Sequence, residues 1–182
     1  MKKNDVLRRI RYVFDFDDST MIAIFALGDR KIARDQVTSW LKKDDDPAFQ
    51  EMNDTDLATF LNGLIIERRG NKEGPRPEPE KTLTNNMIFM KLKIALDLKA
   101  DDVLEIMYRV NLPISRHELS AFFRKPDHKH YRECKDQVLR NFLNGVQKKY
   151  RPDPDRKTDP DKGADRDSSA DRLQDLPVNP GR

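Results

Sequence analysis

The sequence predicts an all-α protein built from two tandem four-helix repeats, related by internal duplication and followed by a disordered C-terminal tail. Three observations predict it. Apolar residues recur at helical spacing, and no alternating strand pattern of useful length occurs. The chain matches itself at a constant offset of 82 residues. Segments 71–84 and 152–182 are rich in proline and charge and poor in apolar residues.

The offset brings Asp15 onto Asp97, Ile24 onto Ile106, Arg34 onto Arg116 and Asp54 onto Asp136. Phe60-Leu61-Asn62-Gly63 lands on Phe142-Leu143-Asn144-Gly145. Apolar character is kept where identity is not, as at Val6/Ile88, Ile10/Leu92, Trp40/Phe122 and Leu57/Leu139. No gap is needed from Asn4/Asn86 to Arg69/Arg151, which marks a duplication.

Each repeat reads as four helices. The first spans about 5–14, with Val6, Leu7, Ile10 and Val13 on one face, and Asn4 and Asn86 are expected to cap it and its copy. The second spans about 18–27, with acidic residues in its first turn and Gly28 at its end. The third spans about 34–43, carrying Val37, Trp40 and Leu41; in the copy, Ser115-Arg116-His117-Glu118 forms a capping box. The turns Asp44-Asp45-Asp46-Pro47 and Lys125-Pro126-Asp127 end it. The fourth spans about 54–68, with Leu57, Phe60, Leu61 and Leu64 inward. The organisation is therefore repeat one at 1–70, a Pro/Glu linker at 71–84, a basic repeat two at 85–151 and the tail at 152–182. A repeat of this size folds alone only marginally, so the two are expected to pack together.

The duplicated pattern resembles the YehS-like bacterial family, a helical domain of unknown function. The resemblance covers residues 1–151 and rests on Asn4-Asp5-Val6-Leu7-Arg8-Arg9-Ile10-Arg11-Tyr12, on Val37-Thr38-Ser39-Trp40-Leu41-Lys42-Lys43 and on the two Phe-Leu-Asn-Gly strings. It implies the fold and a bacterial origin, and it brings no catalytic residues.

Composition narrows the function. Of 182 residues, 36% are apolar and 37% charged, and no apolar run approaches the ~18 residues of a membrane span. Arg8, Arg9 and Arg11 interrupt what would be a signal sequence. The single cysteine, Cys134, leaves no intrachain disulfide, so a cytoplasmic protein is expected. The glycine-rich phosphate loop and the Gly-x-Ser-x-Gly elbow are absent, so no catalytic residue is assigned and the reading leans away from an enzyme. His128, His130 and Cys134 lie close together, but His-x-His with a cysteine four residues later fits no standard zinc spacing, and no metal or other cofactor is assigned.

Two features remain as candidates. Asn62, Gly63, Asn144 and Gly145 form a repeat signature: an interior glycine costs a helix about 1 kcal/mol relative to alanine. Close helix approach explains such glycines; a polar pocket on the two asparagines is the alternative. The second feature is charge. Repeat one holds 12 Lys+Arg against 13 Asp+Glu, whereas repeat two holds 14 against 8. Arg116, Arg124, Lys125, Arg132 and Lys149 are the candidate polyanion-binding residues. The expectation is a non-enzymatic binding or adaptor protein with a protein partner; the alternative is a nucleic-acid-binding regulator using repeat two.

Overall fold

The computed structural model describes residues 1–152, which form eight helices and, among the described residues, no strand. Repeat one carries α1 (Lys3–Phe14), α2 (Asp18–Leu27), α3 (Arg34–Leu41) and α4 (Asp54–Arg69). Repeat two carries α5 (Asn85–Ala95), α6 (Ala100–Tyr108), α7 (Arg116–Phe122) and α8 (Asp136–Tyr150). The expected tail lies outside the described residues from position 153 onward.

Local chemistry sets most helix ends. Asp17 Oδ1 accepts from the Thr20 amide at 2.7 Å, and Asn53 Oδ1 accepts from the Asp56 amide at 2.8 Å, opening α2 and α4. At α7, Ser115 Oγ accepts from the Glu118 amide at 3.1 Å, and Glu118 Oε2 accepts from the Ser115 amide at 3.0 Å. Asp15 and Asp97 turn the chain out of α1 and just beyond α5 with φ of 55° and 52°. Their short polar side chains make the left-handed region tolerable.

The expected caps at Asn4 and Asn86 are not caps. Both lie inside the first turn, at 0% and 7% exposure, and reach across the repeat. Asn4 Nδ2 donates to the Trp40 and Gln50 carbonyls at 2.9 Å each, and its Oδ1 accepts from the Met52 amide at 2.9 Å. Asn86 does the same at the equivalent positions, donating to Phe122 and Arg132 at 2.8 Å and accepting from Cys134 at 2.9 Å. The stretch between the third and fourth helices is irregular, so its buried backbone groups have no ladder to pair with. The inward asparagine meets that need and forgoes the local cap. Thr84 caps α5 instead, while Lys2 flanks α1 without a side-chain cap, its ammonium donating to Asp44.

Within each repeat the second helix crosses the fourth, and the crossing depends on glycine. A Cβ on Gly63 would stand 1.8 Å from the Ile24 carbonyl oxygen. One on Gly145 would stand 2.4 Å from Ile106 Cγ2 and 2.7 Å from the Ile106 carbonyl oxygen. Phenylalanines fill the space alongside: Phe25 meets Phe60 at 5.1 Å between centroids, and Phe89 meets Phe142 at 4.1 Å.

The repeats pack reciprocally. Helix α4 lies on α5, and α8 lies on α1. Residues matched by the 82-residue offset make matched contacts across the junction. Arg69 pairs with Asp97 at 2.7 Å, and Arg151 with Asp15 at 3.2 Å. Lys91 Nζ donates to Asn62 Oδ1 at 2.6 Å, and Arg9 donates to Asn144 Oδ1. Each surface therefore serves twice, as across the two-fold of a symmetric dimer.

Candidate functional site

The junction leaves a groove of about 930 Å³ beside α4 and α5. Its floor comes from one face of α5, where Met87, Met90 and Ile94 recur at helical spacing. Met87 and Ile94 are 37% and 42% exposed, so this face is left uncovered by the other described residues. Phe123 and Tyr131 also line the groove. So does the segment after α4, which carries no helix and runs through Pro75 and Pro77.

That segment is held in place. Arg76 donates to the Leu27 carbonyl at 3.1 Å and pairs with Asp29; Glu80 pairs with Lys91 at 2.9 Å; Leu83 is buried at 2% exposure. Fixed proline φ angles leave its backbone little entropy to lose on docking. Glu80 Oε2 is buried with no hydrogen-bond partner among the described residues.

Charge in the groove divides into committed and uncommitted groups. Arg69, Arg76 and Lys91 are tied to carboxylates. Lys72, Lys93, Arg124 and Lys125 line the groove and form no ion pair among the described residues. Lys93 does lie 6.0 Å from the Phe123 ring centroid.

The polyanion candidates thereby separate. Arg124 and Lys125 stand together at the groove. Arg116 pairs with Asp101, Arg132 with Glu118 at 2.9 Å, and Lys149 approaches Asp102 at 3.9 Å. Of the repeat signature, Gly63 and Gly145 lie at the helix crossings, and Asn62 and Asn144 at the junction. Asn62 also donates to the Pro77 carbonyl at 3.3 Å, and lines the groove. Sequence reasoning missed the α5 methionines and Lys93. The signal was present, since Met87, Met90 and Ile94 share a face while Ile88, Phe89 and Leu92 occupy the buried one.

The remaining chemistry-bearing residues are dispersed. Cys134 is 1% exposed, and burial pushes its thiol up to about 12. The three histidines sit on the surface, His117 and His128 flanking His130 at 6.4 and 5.7 Å between centroids. Among the described residues, no group of three or more His, Cys, Asp or Glu side chains is arranged to hold a metal ion. None of the described helices is long and apolar enough to cross a membrane.

A duplicated all-α protein, with its repeats docked reciprocally and a groove at their junction, is the class that these features define. The chain belongs to the family described as protein of unknown function (DUF1456), whose model matches twice, at residues 3–70 and 85–151. It is 44% identical over 147 residues to "Uncharacterized protein YehS" of Escherichia coli (strain K12), a match covering 80% of this chain and 94% of that protein. No solved structure matches.

Proposed function

We propose that the protein is a non-enzymatic binding module of the cytoplasm, and that its groove holds an acidic, partly apolar segment of a partner protein. One observation carries this reading: methionine-containing apolar surface and four uncommitted cations line the same groove. Methionine side chains adapt to varied apolar surfaces. Cations at the rim supply orientation and association rate. Solitary Cys134 is consistent with a reducing compartment.

The test is affinity purification from cells with and without nuclease, using wild type, Met90→Asp and the double variant Arg124→Glu/Lys125→Glu. A partner retained after nuclease, and lost with either variant, supports the reading. Equal recovery by all three chains would sink it.

The nucleic-acid reading keeps one supporting observation, the convergence of Lys72, Lys93, Arg124 and Lys125 beside Tyr131. Binding measured by anisotropy would then fall steeply with salt as phosphates release counterions. No binding at low salt and protein concentrations on the order of tens of micromolar would remove it, since non-specific contacts act at about 10⁻⁴–10⁻⁶ M in physiological salt and tighten steeply as salt falls.

A further inference from the structure

The pseudo-symmetry of the repeats generates a second groove position, and its chemistry differs from the first. Subtracting 82 from Met87, Met90 and Lys91 gives Asp5, Arg8 and Arg9. These residues, with Met1 and Arg140, line a notch of about 350 Å³ between α1 and α8. The apolar floor of the first groove is replaced here by ionic groups. Ala58 in repeat one becomes Arg140 in repeat two, which adds a cation at the mouth.

The two positions differ in how their cations are balanced. Lys91 gives one proton to Asn62 Oδ1 at 2.6 Å and meets the Glu80 carboxylate at 2.9 Å. Arg9 donates to Asn144 in the equivalent way, but forms no ion pair among the described residues, although the Asp5 carboxylate lines the same notch. Asp5 is committed to Arg8 at 2.5 Å, and Arg8 is further tied to Asp44 at 3.1 Å. Arg140 makes no ion pair or side-chain hydrogen bond among the described residues. Burial and the neighbouring Arg140 charge together weaken the hold of Arg9 on its proton. A half-buried guanidinium and an exposed one therefore share a notch whose nearby carboxylates are committed elsewhere, Asp5 to Arg8 and Asp136 to the Met1 amino group, so that neither guanidinium forms an ion pair among the described residues.

We propose that the Arg9–Arg140 notch is an oxyanion site, taking a carboxylate or phosphate group where Glu80 sits on Lys91 in the other half. Guanidinium groups present planar pairs of donors suited to such oxygens. The proposal is independent of the binding groove on α5. The oxyanion is that of a free ligand, for which inorganic phosphate is the probe.

Thermal melts in inorganic phosphate and in chloride, at matched ionic strength, test this. The chains are wild type, Arg140→Gln and Lys125→Gln, the last as a control in the other groove. Phosphate in ~10–100-fold excess over its Kd is expected to raise the melting temperature by about 3–11 °C relative to chloride. The rise should be lost in Arg140→Gln and kept in Lys125→Gln. No phosphate-specific rise in wild type, or an equal rise in Arg140→Gln, overturns the proposal.

Discussion

Replacing Gly63 by alanine sets two effects of opposite sign against each other. Helix propensity alone favours the change by about 1 kcal/mol, because Gly63 lies inside α4. The α2–α4 crossing opposes it. The new Cβ would lie 1.8 Å from the Ile24 carbonyl oxygen, 2.8 Å from the Ile24 carbonyl carbon and 3.1 Å from the Gly28 amide nitrogen. All three are backbone atoms, so no side chain can rotate aside. Relief requires α2 to move by more than 1 Å, given ordinary carbon contacts of about 3.5 Å. That motion would strain Phe25, which is fully buried between Phe60 and Trp40. Overpacking of this kind costs about 1–3 kcal/mol, and a rigid backbone obstacle places it at the upper end. The net expectation is a loss of about 1–2 kcal/mol after the propensity gain, or roughly 2–8 °C in melting temperature for a domain of this size. Gly63→Leu should lose more. Gly145→Ala should lose less, since its backbone obstacle, the Ile106 carbonyl oxygen, stands at 2.7 Å rather than 1.8 Å and its nearest contact is the Ile106 Cγ2 methyl. Urea denaturation with parallel thermal melts measures all three. A Gly63→Ala protein as stable as wild type, or more so, would refute the close-approach argument.

Asn4→Ala and Asn86→Ala should each destabilise by several kcal/mol, because two carbonyls and one amide lose their partner, at about 1–3 kcal/mol for each group left buried and unpaired; chemical denaturation curves check this, and a loss below ~1 kcal/mol would show that water replaces the bonds. Cys134 should resist alkylation in the native protein at pH 8, since its thiol titrates near 12 and is almost wholly covered, and should react rapidly once denatured; prompt native labelling would contradict the burial. Asp17 and Glu118 accept backbone amides and are held below their ordinary 3.8 and 4.5, so their contribution is complete above those values and is lost as pH falls through the lower folded ones. Asp17→Asn and Glu118→Gln should therefore flatten the acid limb of a stability-versus-pH curve, while an unchanged limb would remove these caps from its cause.

The sequence by itself determined the helices, their order and the duplication, because these depend on local spacing. Apolar residues at helical period name the face that must leave water, and the constant offset requires the second repeat to repeat the first. The Ser115–Glu118 capping box was legible for the same reason, since both partners lie within one turn. Tertiary structure decided what each face meets. Nothing in the spacing of Val6, Leu7 and Ile10 says that α1 lies against α8, or that α4 lies against α5. Asn4 shows the difference most directly. A first-turn asparagine has a local use as a cap and a long-range use as a brace, and only burial beside the Trp40–Met52 backbone selects the second. The cations divided likewise. Arg116, Arg132, Arg124 and Lys125 are equally basic in sequence, but packing sets Asp101 and Glu118 against the first two and leaves the others at the groove. Charge belongs to the residue, whereas its neutralisation is a distance between chain segments that only the fold brings together.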